Sequence, residues 1–182
     1  MLTGDAQKFY GLVFGIAFST LLITQQLTIF VNLIERGASG AYNVSSADVW
    51  VMDPVSRTTD VAYAMPSTAL DKVRGVPGVE WAVPHLRANA SVRTKDGDLE
   101  GVSIIGVDDA TFVVLPKQLL VAEPDILSQP DTVLIDDVGM TRMFPGQSPI
   151  GERLELNDQR AVIRGIADAI PSFTSQVTLY TK

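Results

Sequence analysis

Cysteine is absent from the 182 residues, and histidine occurs once, as His85. The first absence excludes disulfide stapling, thiolate metal sites and cysteine nucleophiles. The second excludes any site built from several imidazoles. Cations are also scarce, with 14 Lys and Arg against 21 Asp and Glu, a net charge of −7 and a pI near 4.6. Nucleic acid is therefore excluded as a partner, because phosphate binding draws on a basic surface for counterion release. Anionic lipid head groups are a poor target for the same reason. No G-x-x-x-x-G-K-[ST] loop is present, which removes that route to a nucleotide. Repeats and low-complexity runs are missing too. The 46% of apolar residues suffices for one domain with a buried core.

One stretch lacks charge altogether. Phe9 to Ile34 runs for 26 residues, fifteen of them Leu, Ile, Val or Phe. As a helix it would extend about 39 Å, more than a hydrocarbon core of roughly 30 Å. Gln25, Gln26 and Asn32 return part of the insertion free energy without cancelling it. A secretory signal has a shorter apolar region, so the length favours an uncleaved transmembrane helix. The small residues Gly37-Ala38-Ser39-Gly40-Ala41 keep peptidase cleavage open as the alternative. Within the span, Gly11, Gly15 and Ser19 recur every four residues, a small-residue face that lets a second helix approach closely. The amides of Gln25 and Gln26 prefer a hydrogen-bonding neighbour to hydrocarbon. These five positions are the candidate helix-packing residues; ordinary glycine usage and snorkelling glutamines are the plainer account. Lys8 before the span and Arg36 after it leave the orientation undecided.

All charges except Asp5 and Lys8 lie in residues 35–182. Asp48-Val49-Trp50-Val51-Met52 reads as a short strand stopped by Asp53-Pro54. Ser67 is placed to cap a helix over 68–74 with Leu70 and Val73 on one face and Gly75 at its exit, before a Pro77-Gly78 turn. Leu86, Ala88, Ala90, Val92 and Thr94 alternate with Arg87, Asn89, Ser91, Arg93 and Lys95, the period-two pattern of a strand with one wet face. Asp96-Gly97 supplies a hairpin turn, and Leu99 to Val107 returns as the partner. Thr132 to Ile135 reads as a buried strand, followed by a brief helix to Phe144 capped by Asp136 or Asp137. Arg153–Leu156, Asn157-Asp158 and Ala161–Ile166 form a second hairpin, and Val177–Tyr180 begins another strand. Hairpins with short helices between them predict an α+β domain and not a doubly wound parallel sheet.

Chemistry is thinly represented. His85 is the one conventional base, in a strand context without a G-x-S-x-G elbow, so an ordinary strand histidine is expected over a triad assembled across the fold. Asp96, Asp98 and Glu100 do not follow a calcium-loop pattern and read as a solvated turn. The pairs Asp108-Asp109 and Asp136-Asp137 follow strands, where adjacent side chains point to opposite faces, and read as caps. No catalytic residue, cofactor site or metal site is expected, and the chain is not read as an enzyme.

Several short motifs follow one another in a particular order. After the apolar helix and Asp48-Val49-Trp50-Val51 come residues 70–79 (LDKVRGVPGV) and Trp81-Ala82-Val83-Pro84. Residues 105–111 (IGVDDAT), Val133-Leu134-Ile135-Asp136, Pro149-Ile150-Gly151-Glu152 and residues 162–167 (VIRGIA) complete the series. In this order the chain resembles the first transmembrane helix and periplasmic domain of MacB/FtsX-type ABC transporter permeases, nearest the DevC-like branch, over most of residues 9–182. The resemblance implies a homodimeric permease in the bacterial inner membrane, working with a separate ABC ATPase and a periplasmic adaptor of the membrane-fusion type. It also implies that the periplasmic domain couples ATP-driven motion to extrusion of a lipid, peptide or glycolipid. Residues 1–8 would be a cytoplasmic stub, 9–34 the transmembrane helix and 35–182 a MacB-like periplasmic domain. The family adds three later membrane helices and an amphipathic helix before the first span; the 182 residues hold neither, so an incomplete periplasmic domain is expected, from a fragment, a truncated product or a degenerate relative. The family brings no catalytic residues, since hydrolysis falls to the partner. The alternative from another class is a self-standing, membrane-anchored binding module without an ATPase; a secreted hydrolase using His85 is a third.

Overall fold

The computed structural model describes residues 5–44, 46–57, 59, 63–94, 97–108, 110–116, 118–121, 124–172, 174 and 176–182. The chain divides into two compact units, one ending at Gly37 and the other beginning at Ala38. The first is a single helix, α1 (Ala6–Gly37). It exceeds the uncharged stretch at both ends, because Gln7, Lys8, Glu35 and Arg36 are good helix formers. It is the one described helix long and apolar enough to cross a membrane.

The second unit contains α2 (Ser39–Asn43), α3 (Thr68–Arg74), β1 (Leu86–Arg93), β2 (Leu99–Gly106), β3 (Gln118–Val121), a 3-10 helix (Pro124–Ser128), β4 (Thr132–Asp136), α4 (Asp137–Met143), β5 (Arg153–Leu156), β6 (Gln159–Asp168) and β7 (Val177–Thr181). Both expected hairpins form. β1 and β2 pair from Leu86↔Gly106 to Arg93↔Leu99. Gly97 takes φ +89° in their turn, where Thr94 N–H donates to Asp98 C=O and Gly97 N–H to Thr94 C=O. Asp96 lies outside the described residues. Asn157 (φ 46°) and Asp158 (φ 67°) make the two-residue turn between β5 and β6, which requires left-handed backbone at both positions.

The hairpins are joined in a way that alternation alone does not specify. β7 lies parallel to β2 and antiparallel to β4, while β4 lies parallel to β6. The sheet is therefore mixed. Neighbouring strands run β1–β2–β7–β4–β6–β5, and β5 pairs back with β1 through Val92↔Leu156 and Arg93↔Glu155. Six strands thus close on themselves, and β3 extends β6 beyond β5. Asn157 reinforces the closure, its Oδ1 accepting from Ser91 N–H at 3.2 Å.

Closure creates two cores. Ala90, Val92, Val102, Ile135, Leu154, Ile163, Val177 and Leu179 fill the interior, one cluster fed by all six strands. Leu134, Ile105, Ala167 and Tyr180 point outward and are covered by Val44, Val107, Val114 and Leu127. All five residues of β4 are buried, which explains its unbroken apolar run.

At the end of β4 the carboxylate of Asp136 resolves the capping question. Asp136 Oδ1 accepts from Gly139 N–H at 2.8 Å, and Asp137 begins α4. A Cβ at Gly139 would stand 2.5 Å from Val177 and 2.7 Å from Asp136 Oδ1, so only glycine lets α4 descend onto β4 and β7. One expected element is not formed: residues 48–52 are irregular, with Val49 77% exposed. Their apolar character serves a side-chain contact of Trp50 instead of a hydrogen-bonded ladder. Ser67 stands at the start of α3 as expected, yet with helical backbone and no side-chain cap.

Asp136 is 1% exposed, and burial raises its carboxyl to about 6, against the bonds from Gly139 and Thr178 that lower it. With the folded value above the usual 3.8, folding takes up a proton between these limits, so this group's contribution is complete below pH 4 and lost as pH rises through 6. The difference amounts to roughly 3 kcal/mol. Asp136→Asn keeps an acceptor for Gly139 and removes the titration. Thermal melting of the variant minus that of the parent should therefore rise between pH 4 and pH 7; a constant difference would contradict this assignment. Gly139→Ala should cost about 1–3 kcal/mol through overpacking, measured by denaturant unfolding.

Candidate functional site

The residues expected to pack α1 against another helix lie along its exposed surface. Gly11, Gly15 and Ser19 share one face by their four-residue spacing, with Gln26 beside them and Gln25 at the margin. A Cβ at Gly11 or Gly15 would meet nothing within 4 Å. A second stripe was not expected from the sequence. Thr20 Oγ1 donates to Ile16 C=O at 2.8 Å, Thr24 to Thr20 C=O at 2.9 Å and Thr28 to Thr24 C=O at 2.9 Å. Asn32 Nδ2 continues the series to Thr28 C=O at 3.0 Å. The helix backbone thus satisfies these polar groups one turn at a time, which makes them compatible with an apolar surrounding. Their T-x-x-x-T-x-x-x-T-x-x-x-N spacing was the available signal.

In the second unit the candidate acids have structural occupations. Asp108 Oδ2 accepts from Thr111 N–H at 3.0 Å and from its hydroxyl at 2.8 Å, which closes a turn; no helix follows it among the described residues, so the expected helix cap is not formed there. Asp109 lies outside the described residues. Glu100 reaches Arg142 Nη1 on α4 at 3.2 Å, so it joins a strand to a helix. Among the described residues no three His, Cys, Asp or Glu side chains gather closely enough to hold a metal ion.

This unit holds a cavity of about 600 Å3. Its floor is the outer face of the sheet, where Arg87, Ile105 and Tyr180 are successive partners across β1, β2 and β7. Trp50, Met52, Leu70 and Val73 wall it from the irregular 46–57 segment and α3. The surrounding segments are tied down by polar contacts. Asn43 exchanges two hydrogen bonds with the backbone of Ile170, at 3.0 and 2.9 Å. Arg74 grips Ala82 C=O through Nε and Nη2 at 3.0 and 2.9 Å, fixing α3 to the approach of β1. Arg87 Nε donates to Ser103 Oγ at 3.0 Å and Nη1 to Thr59 C=O at 3.4 Å.

His85 lies in this wall, one residue before β1 and not within a strand. Its ring meets Trp50 edge to face, with centroids 5.1 Å apart. Burial first, and the Arg87 charge second, push His85 down to about 4, so the imidazole is neutral at physiological pH. Tyr180 is 1% exposed, and burial raises its phenol, which stays protonated. Its hydroxyl has no hydrogen-bond partner among the described residues, an uncommon state for a buried polar atom. The cavity wall therefore mixes the apolar Trp50, Met52, Leu70 and Val73 with the polar Asn43, Asp53, Ser56 and Thr59, while the Tyr180 hydroxyl is sealed beneath it. Sequence reading missed the cavity because its residues come from five separate segments.

The His85 resonances should titrate with a midpoint near 4 in an NMR pH series, accompanied by a change in Trp50 emission when Trp81 is replaced by Phe; a midpoint near 6.5 would contradict the packing described.

Comparison with known proteins bears on both units. The family model of the MacB-like periplasmic core domain matches residues 10–181. No curated protein matches. Among solved structures, the extracellular domain of the noncanonic ABC-type transporter YknZ from Gram-positive bacteria is similar, with 18% identity, a TM-score of 0.47 and coverage of 64% of this chain and 61% of that one. The periplasmic region of MacB from Actinobacillus actinomycetemcomitans matches at 14% identity and a TM-score of 0.44, covering 63% of this chain and 53% of that one. A domain of a putative permease protein from Porphyromonas gingivalis matches at 18% identity and a TM-score of 0.44, covering 63% and 54% respectively. The aligned part is thus less than two thirds of each of these structures. With the family match running from the apolar helix through the final strand, the chain belongs to the family of the MacB-like periplasmic core domain.

Proposed function

We propose that this chain is a permease component of an ABC-type export system, anchored in the bacterial inner membrane by α1. On this reading residues 1–8 are cytoplasmic and 35–182 face the periplasm. The domain couples the ATP-driven motion of a separate ATPase subunit to extrusion of a substrate, with a periplasmic adaptor and a second permease copy as further partners. ATP hydrolysis belongs to the ATPase subunit. The observation that carries the reading is the family match over 10–181, which takes in the apolar helix as well as the sheet. Gly11, Gly15, Ser19, Gln25 and Gln26 are proposed to pack α1 against a neighbouring transmembrane helix. The small residues permit close approach, and the amides supply interhelical hydrogen bonds.

A second reading, a membrane-anchored binding module that works without an ATPase, is favoured by the cavity beside Tyr180.

Affinity purification of the chain from membranes in mild detergent, followed by mass spectrometry of what accompanies it, separates the two. An ABC ATPase or an adaptor is expected in the purified fraction. Replacing Gly11 and Gly15 by Leu should reduce partner recovery severalfold while leaving the chain in the membrane. Recovery of the chain alone would contradict the transporter assignment, and recovery from the soluble periplasm would mean that the apolar segment is cleaved.

A further inference from the structure

We propose that the exposed face formed by β1, β5 and β6 docks an acidic protein surface, one that sets carboxylates over Arg93, Arg153, Arg160 and Arg164 and a cation or hydrogen-bond donor over Glu155. The surface does not depend on transport, and it stands or falls separately from the ATPase partnership.

The face follows from the alternation of the strands. Val92, Leu154, Ala161 and Ile163 point into the closed interior. Arg93, Arg153, Glu155, Arg160 and Arg164 are their neighbours in sequence, so these side chains leave from the other side of the sheet. All five are exposed, whereas the outward Ile105, Leu134, Ala167 and Tyr180 are covered. Arg93, Glu155 and Arg160 are direct partners across the three strands, a row of plus, minus, plus. Arg153 pairs with Val162 in the next row. Arg164 lies two residues further, about 13 Å from Arg160 along β6. Four of the chain's 14 cations thus share one face with one acid, in a protein of net charge −7. Asp158 stands at the hairpin tip, and Asp131, whose C=O accepts from Val162 N–H at 2.7 Å, at the β4 margin.

Local pairing leaves most of this charge unused. Arg93 Nε stands 3.7 Å from Glu155 Oε2, with both side chains 54% exposed, a weak pair at the surface. Arg153, Arg160 and Arg164 have no ion-pair or hydrogen-bond partner among the described residues. The four cations are arginines without a lysine among them, and the planar guanidinium fork is the group that meets carboxylates bidentately and is enriched in protein interfaces.

The mixed sign selects among anionic partners. A uniformly anionic glycan, phosphate polymer or lipid surface would press like charge onto Glu155 at the centre of the row. A second copy related by a two-fold axis repeats the same patch, so each Glu155 would meet one arginine while the remaining arginines opposed one another. A protein surface with acids arranged around a cation or donor satisfies all five side chains. Such complementarity sets partner choice and association rate more than raw affinity.

Site-specific photocrosslinking of the full chain in the membranes of its own host tests this, with p-benzoylphenylalanine in place of Val162, which lies half-buried between Arg160 and Arg164. An adduct to a partner protein is expected, mapped by mass spectrometry to a segment in which Asp and Glu outnumber Lys and Arg. Arg153→Glu together with Arg160→Glu should reduce the adduct by roughly tenfold or more. Raising salt to about 0.5 M in isolated membranes should reduce it as well, which reads the same charge dependence on the unsubstituted surface. Arg57→Glu, an equivalent charge change outside the face, should leave it unchanged. Absence of a protein adduct, an adduct to lipid or glycan, an adduct to the same face of a second copy, a partner segment that is not acidic, or an adduct indifferent to charge reversal and salt would each overturn the proposal.

Discussion

The strand Val177–Thr181 is hydrogen-bonded along both edges, to β2 in parallel and to β4 in antiparallel register, and its two faces lie in different cores. Val177 and Leu179 enter the closed interior, while Tyr180 enters the outer cluster. Without this strand the β1–β2 hairpin and the β4–β6 pair would share no ladder on that side, and the ring could not close. Its four buried positions are the thermodynamic return on a long loop closure, since β2 and β7 are parallel and separated in sequence by about half of the domain.

The closed ring divides labour between its faces. Inside, the described residues of the six strands meet in one aliphatic cluster. Outside, the same strands carry Arg87, Ser103, Thr178, Tyr180 and Asp136, and the covering segments must either satisfy these groups or leave room beside them. Asp136 is satisfied by Gly139, which is possible because a residue without Cβ lets α4 settle against Val177. Ser103 is satisfied by Arg87. The Tyr180 hydroxyl is sealed in the outer cluster with no hydrogen-bond partner among the described residues. Beside it, the covering 46–57 segment and α3 enclose a cavity of about 600 Å3 over the outer face of the sheet.

Much of this was legible in local pattern. The uncharged run of residues 9–34 marked α1, the alternation after Leu86 marked β1, Asn157-Asp158 marked a two-residue turn, and an aspartate after β4 marked the cap of α4. These features depend on contacts between neighbours in the chain. Strand order does not. Nothing in Val177–Tyr180 announces that it will sit between β2 and β4, because a fully buried strand reads alike whether its neighbours are parallel or antiparallel. The Asp48–Met52 segment failed for the complementary reason: apolar residues there are explained equally by a strand and by a loop whose Trp50 packs against His85. The cavity was illegible because Trp50, Leu70, Arg87 and Tyr180 converge only once the ring has closed. The threonine ladder of α1 was legible in principle from its four-residue spacing, since it needs no tertiary contact.

The most direct test of closure through β7 is native-state hydrogen exchange on the full chain in nanodiscs, resolved to residues 177–181. Protection of these amides at the level of β4, among the slowest in the protein, is the expected result, because exchange there requires opening the ring. Exchange as rapid as that of the irregular 46–57 segment would contradict it, and would mean that the two hairpins hold together without their shared strand.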